Sequence, residues 1–156
     1  MRQRANLRDP NLLMRLACLL LVLALVGCAN IRLIADYDEQ IDKSVSELQR
    51  KFETFLTGLE RNAGKPEAGY DASVKFYDEA RVDLSAIRVR AAAIPQNDIT
   101  LQQLDLLADS LGKLEELHKG GLRRDEISPL RSAFNSSFTA ILKLELAKKR
   151  GDAVDK

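Results

Sequence analysis

Tryptophan is absent from this 156-residue chain, histidine occurs once, at His118, and the two cysteines are Cys18 and Cys28. Each scarcity removes a class of function. One histidine excludes a carboxylate-bridged di-metal bundle site, which needs two Glu-x-x-His pairs. Glu115 and His118 have the spacing of one such pair. His118 is then expected on the surface or at a helix cap, with a single-ion site beside Glu60 or Glu126 as the minor alternative. Cys18 lies inside an apolar run, so the chain has no disulfide framework. Neither a glycine-rich phosphate loop nor a serine nucleophile elbow with histidine and acid partners occurs. No catalytic residue, cofactor or metal is therefore expected. The 24 basic and 23 acidic residues nearly cancel, which excludes a nucleic-acid binder on charge. Long apolar runs are scarce too. The longest extends from Leu16 to Val26, shorter than the roughly 20 residues of a comfortable membrane span.

That short run follows a basic start of Arg2, Arg4, Arg8 and Arg15 against Asp9 alone, the layout of an export signal. It ends in Leu25-Val26-Gly27-Cys28. Gly27 leaves the peptide bond before Cys28 open to a protease, and a cysteine sulfur is nucleophilic enough to take a lipid group. These residues resemble a bacterial lipobox. The resemblance implies cleavage before Cys28 and acylation of the new N-terminus. Ala29, where an Asp would favour retention in the inner membrane, implies the outer membrane with the body in the periplasm. The following "IRLIADYDEQID" is similar to small helical lipoproteins of proteobacteria. Removing residues 1–27 takes four bases and one acid, leaving 20 against 22, a net charge of −2.

The remaining chain has four apolar stripes at steps of three and four, the signature of amphipathic helices. The first is Ile34, Ile41, Val45, Leu48, Phe52, Phe55 and Leu59. It ends near Asn62, with Gly64 free to take a left-handed cap. The second is Tyr70, Val74, Tyr77, Ala80, Leu84, Ile87 and Ala91, stopped by Pro95. The third opens on a Thr100–Gln103 capping box with Ile99 and Leu104 as a staple. It continues through Leu107, Leu111 and Leu114 to Gly120-Gly121. The fourth opens between Asp125 and Pro129 and carries Leu130, Phe134, Phe138, Ile141 or Leu142, and Leu146. Strand signals are absent. The fold expected is all-α, an antiparallel up-down-up-down four-helix bundle with an extended N-terminal helix. Its parts are a cleaved leader at 1–27, a lipidated stalk and helix start at 28–40, the bundle at 41–150 and a flexible tail at 151–156.

In such a bundle Cys28 places one end at the membrane. That end gathers Arg32, Arg88, Arg90, Lys148, Lys149 and Arg150, a basic set able to meet anionic headgroups. The partner-facing candidates are Ile31, Leu33 and Ile34 on the stalk and Lys65, Arg123 and Arg124 on the distal loops. Tyr37-Asp38-Glu39 and Tyr77-Asp78-Glu79 repeat a tripeptide, read as solvated faces with half-buried tyrosines. Asn135-Ser136-Ser137 reads as a close helix approach. The function expected is a membrane-anchored periplasmic scaffold or accessory subunit, non-enzymatic, with another envelope protein as partner. The alternative is a bundle that holds an apolar ligand such as a lipid acyl chain. Its discriminator is a cavity among Phe52, Phe55, Phe134 and Phe138. A third reading, a wall tether, rests on terminal Lys156 alone, the residue type that joins the major murein lipoprotein to peptidoglycan.

Overall fold

The structure, a computed structural model, describes residues 14–15 and 34–154, with side chains to residue 151. Met1–Leu33 and Ile34–Lys156 form separate units, and only Met14 and Arg15 of the first are described, as helix. All the regular secondary structure of the second unit is helical among the described residues, with no strand. Its elements are α1 (Glu39–Arg61), 3-10 turns at Pro66–Ala68 and Asp71–Ser73, α2 (Val74–Ala92), α3 (Asp98–Lys119) and α4 (Arg124–Val154).

Each helix packs on two neighbours, α1 and α3 both lying against α2 and α4. Ends meet starts throughout. Asp38 before α1 pairs with Arg90 late in α2, and His118 late in α3 reaches Ala68 ahead of α2. Lys148 late in α4 bonds Asn97 ahead of α3, and Arg131 early in α4 lies 2.9 Å from Glu60 at the end of α1. Neighbouring helices are therefore antiparallel.

The buried stripe of α1 is Ile41, Val45, Leu48, Phe52, Leu56 and Leu59, steps of four and three that keep one face inward. Leu56 takes the core position expected of Phe55, which is half-buried and stacks on Phe76, ring centroids 3.7 Å apart. Phe52 is the hub, with Phe76, Phe134 and Phe138 at centroid distances of 5.2, 4.7 and 5.3 Å. Such rings gain about 0.5–1.5 kcal/mol per pair beyond their area burial. Gly64 and Gly121 take the left-handed backbone after α1 and α3, with φ of 83° and 92°. A glycine can do so without strain.

Three expectations about element ends are corrected. The long helix is α4, with 31 residues against 23 for α1, so the N-terminal helix is not the extended one. Helix α1 starts no earlier because Asp38 caps it, accepting from the Ile41 N–H at 2.9 Å with extended backbone, the usual geometry of an aspartate cap. Residues 34–38 are not a projecting stalk, since Ala35 is buried and its N–H donates to the Gln96 carbonyl at 3.2 Å. The tail expected from Gly151 is helical to Val154. Glycine costs a helix only about 1 kcal/mol, and nothing there forces a turn.

The third helix also starts differently. It begins at Asp98, and Thr100 is buried inside its first turn instead of capping it, while Ile99 faces solvent. In α4 the stripe reads Ile127, Phe134, Phe138 and Ile141, then Glu145 and Lys148; Leu146 is exposed and Leu130 half-buried.

Replacing the hub neighbour Phe138 by alanine should lower unfolding free energy by about 3–5 kcal/mol, read as a shift of the urea midpoint at unchanged slope. A loss under about 1 kcal/mol would mean that the aromatic core is not packed as described.

Candidate functional site

Two buried polar clusters lie at opposite ends of the bundle. The first is built where α4 crosses the start of α3. Lys148 is 3 % exposed and Glu145 0 %, one turn apart on the inner face of α4. The ammonium donates to Glu145 Oε1 (2.6 Å), Asn97 Oδ1 (2.6 Å) and Thr100 Oγ1 (2.8 Å), and Thr100 donates to Glu145 Oε1 at 3.0 Å. Asn97 in turn donates to the Ala91 carbonyl, tying the end of α2 into the set. Three acceptors satisfy the three protons of the lysine. Glu145 Oε2 is buried without a protein partner.

This cluster revises the basic end. Lys148 is no membrane-facing cation. Its charge is sealed because a helix step of three from Glu145 lands on the core stripe. Arg88 is held by Asp105 (2.6 Å) and Arg90 by both oxygens of Asp38 (2.8 Å each). The Arg90 bonds keep the Asp38 carboxyl below the usual carboxylate range. Lys149 lies over the Tyr37 ring, 5.0 Å from its centroid, and Arg150 is exposed. The Tyr37 hydroxyl donates to Asp42, which pushes its pKa up to about 12. Of the described members of that basic set, all but Arg150 are engaged within the fold.

The second cluster closes the other end. His118 is buried, not a surface residue. Its Nε2 bonds the Ala68 carbonyl at 2.8 Å and its Nδ1 the Tyr77 hydroxyl at 2.9 Å. A carbonyl only accepts, so Nε2 carries a proton, and in the neutral imidazole Nδ1 accepts from the Tyr77 hydroxyl. Burial raises the Tyr77 pKa. Beside it the buried Glu115 carboxylate accepts from Tyr70 (2.8 Å) and from Arg81. With both ring nitrogens occupied and Glu115 held by an arginine, the pair serves packing and register. Among the described residues no three His, Cys, Asp or Glu side chains gather as a metal site would require. Tyr77 is fully buried, whereas Tyr37 is half-buried, so the repeated tripeptides sit in different surroundings.

Asn135 on α4 accepts from Gln49 of α1 (3.1 Å), while Ser136 and Ser137 bond carbonyls four residues back. The distal candidates are exposed or nearly so: Lys65 before the first 3-10 turn, Arg124 at the start of α4, and Arg123, which pairs with Asp125 and Glu126. Ile34 is partly exposed at the opposite end. Cys28, Ile31, Arg32 and Leu33 lie outside the described residues, as does Lys156. Among the described residues no helix is long and apolar enough to cross a membrane.

Comparison with known proteins yields no match: no family model, no curated protein and no solved structure resembles the chain closely enough to align.

The buried set escapes a sequence reading because Glu145 and Lys148 read as polar. The available signal is their position, since both continue the 134–138–141 stripe at steps of four and three. Lys148→Ala should cost about 3–5 kcal/mol by stranding Glu145, whereas the double change Lys148→Met with Glu145→Leu should be near neutral or stabilising. Thermal melts of both variants separate the outcomes. Asp38, bonded both to Arg90 and to the start of α1, makes a pH-dependent contribution. Its carboxyl pKa is lowered from an ordinary value of 3.8. Such a shift stabilises the fold above the ordinary value, and that stability is lost as pH falls through the folded value. Asp38→Ala should cost about 1–2 kcal/mol at pH 7, and the gap to wild type should close in acid. Urea midpoints at pH 7 and pH 2.5 would show it.

Proposed function

We propose that this chain is a lipid-anchored envelope protein whose helical body acts as a scaffold or accessory subunit for another protein. The single observation that carries the reading is Leu25-Val26-Gly27-Cys28 placed after a basic, apolar leader. The bundle agrees with it. Ile34 lies six residues after Cys28. That is about 20 Å of extended chain, so an acylated Cys28 keeps the Ala35 end of the bundle near its membrane. Attachment there belongs to the lipid more than to charge, because Lys148 is internal and Arg88 and Arg90 have acidic partners. Ala29 supports the outer membrane as the destination, with the body in the periplasm.

The alternative, an acyl chain held inside the bundle, receives less support. Phe52, Phe134 and Phe138 meet ring to ring where the ligand would lie. A core that fills itself supports a body that works through its surface.

Intact-mass measurement of the protein extracted from its native membrane tests the anchor. The expected species begins at Cys28 and carries diacylglyceryl and amide-linked acyl groups. An unmodified Cys28, or a leader still attached, would overturn the reading.

A further inference from the structure

The chain enters the bundle through Ile34-Ala35-Asp36-Tyr37, a non-helical stretch ahead of the Asp38 cap. This stretch lies over the buried charge pair. Ile34 and Ala35 line a cavity of about 10 Å³ whose other walls include Asn97, Thr100 and Lys148. A void of that size is no larger than about one water, so the cover fits closely. Tyr37 continues it. Lys149 lies over the Tyr37 ring, and the hydroxyl pKa, raised first by the Asp42 bond, is raised also by the Glu145 charge. The entry segment thus closes the Lys148–Glu145 cluster from outside, where α3 begins.

The closure is shallow. Neither apolar cluster of the bundle includes Ile34 or Ala35. Ile34 is partly exposed, and Ala35 buries no more than a methyl group. The backbone is held by the Ala35 N–H, which donates to the Gln96 carbonyl at 3.2 Å. Gln96 presents that carbonyl from a left-handed backbone, with φ of 61°. Such a state costs a non-glycine residue energy, which offsets part of what the bond gains. Asp38, next along the chain, is a fixed point. Its carboxylate accepts from the Ile41 N–H at the start of α1 and takes both Arg90 bonds. Residues 34–37 can therefore swing about Asp38 without fraying α1 or parting it from α2.

We infer that residues 34–37 are a releasable strap. They lift from Gln96 while the four helices stay folded, and lifting admits water to the charge pair that seats α4 on α3. Local openings of this kind occur where few apolar contacts hold a segment. The strap sits where a pull would arrive first. With Ile34 six residues after Cys28, any displacement of an anchored Cys28 reaches Ala35 before it reaches the core. That source of the pull rests on the lipid reading, whereas the strap itself rests on contacts inside the body.

Lysine acetylation by a small N-hydroxysuccinimide ester tests it, on the full-length chain in detergent, read by peptide mass mapping with exposed Lys143 as the reference. Lys148 should react about a hundredfold more slowly than Lys143. Its rate should be nearly independent of urea below the unfolding transition, because lifting four residues exposes little surface. Ala35→Arg sets bulk and a like charge beside the Lys148 ammonium. It should raise the Lys148 rate about tenfold or more and leave the helical circular dichroism intact. Ala35→Gly removes the methyl and frees the backbone, and should raise the rate about two- to fivefold. A Lys148 rate that climbs with urea in step with global unfolding, or that ignores both substitutions, overturns the proposal. So does a Lys148 that reacts as fast as Lys143, since nothing is then sealed. Loss of the helical fold in Ala35→Arg overturns it too, by making the segment part of the core. Because the assay needs no acyl group, its failure leaves the anchor standing, and an unmodified Cys28 leaves the strap result standing.

Discussion

The ammonium of Lys148, closed in with Glu145, Thr100 and Asn97, sets where α4 sits on α3. Two opposite charges out of water gain little net stability, since desolvation offsets most of their attraction. They do penalise every arrangement that separates them. A one-turn slip of α4 would put a lone charge in the core, where a slip of leucine against leucine costs far less. Apolar steps at Phe134, Phe138 and Ile141 supply the burial, and the polar pair selects the register. The His118–Tyr77–Ala68 chain does the corresponding job between α3 and the segment leading into α2. With both ends pinned, the aromatic hub around Phe52 has one way to close.

That register has consequences for the surface. It holds Ile99 out of the core while Thr100 turns inward, and it leaves Leu146 exposed as Glu145 takes the inner position. The bundle's entry segment is fastened at the same end, with Ala35 on Gln96 and Asp38 on Arg90. Gln96 accepts this bond with a positive φ of 61°. That backbone state costs a non-glycine residue energy and is held by its surroundings. In the proposed setting a membrane tether would join a stiff body within a few residues.

Much of the fold is legible in the sequence because its core is mostly ordinary apolar periodicity. Ile41, Val45, Leu48 and Phe52 in α1, and Tyr77 to Ala91 in α2, lie where steps of three and four put them. Gly64 and Pro95 end segments for plain steric reasons. The failures share a cause. A stripe is read by hydrophobicity, so the inner face of α4 is lost where it turns charged, and Leu146 reads as core in place of Glu145. Thr100 could either cap a helix or satisfy a buried carboxylate, and only the presence of Glu145 decides between them. Asp38 could be a solvated acid or a cap, and Arg90, 52 residues away, makes it both a cap and a clamp. His118 offers no local sign of burial, because its partners are a tyrosine and a backbone carbonyl far along the chain.

The register is tested most directly by NMR observation of the lysine ammonium groups. One of them, assigned to Lys148, should have protons that exchange slowly with water and cross-relax with the side chains of Thr100 and Asn97. If every lysine ammonium exchanges at solvent rates, or Lys148 shows no contact with α3, the buried pair does not exist and the placement of α4 on α3 is wrong.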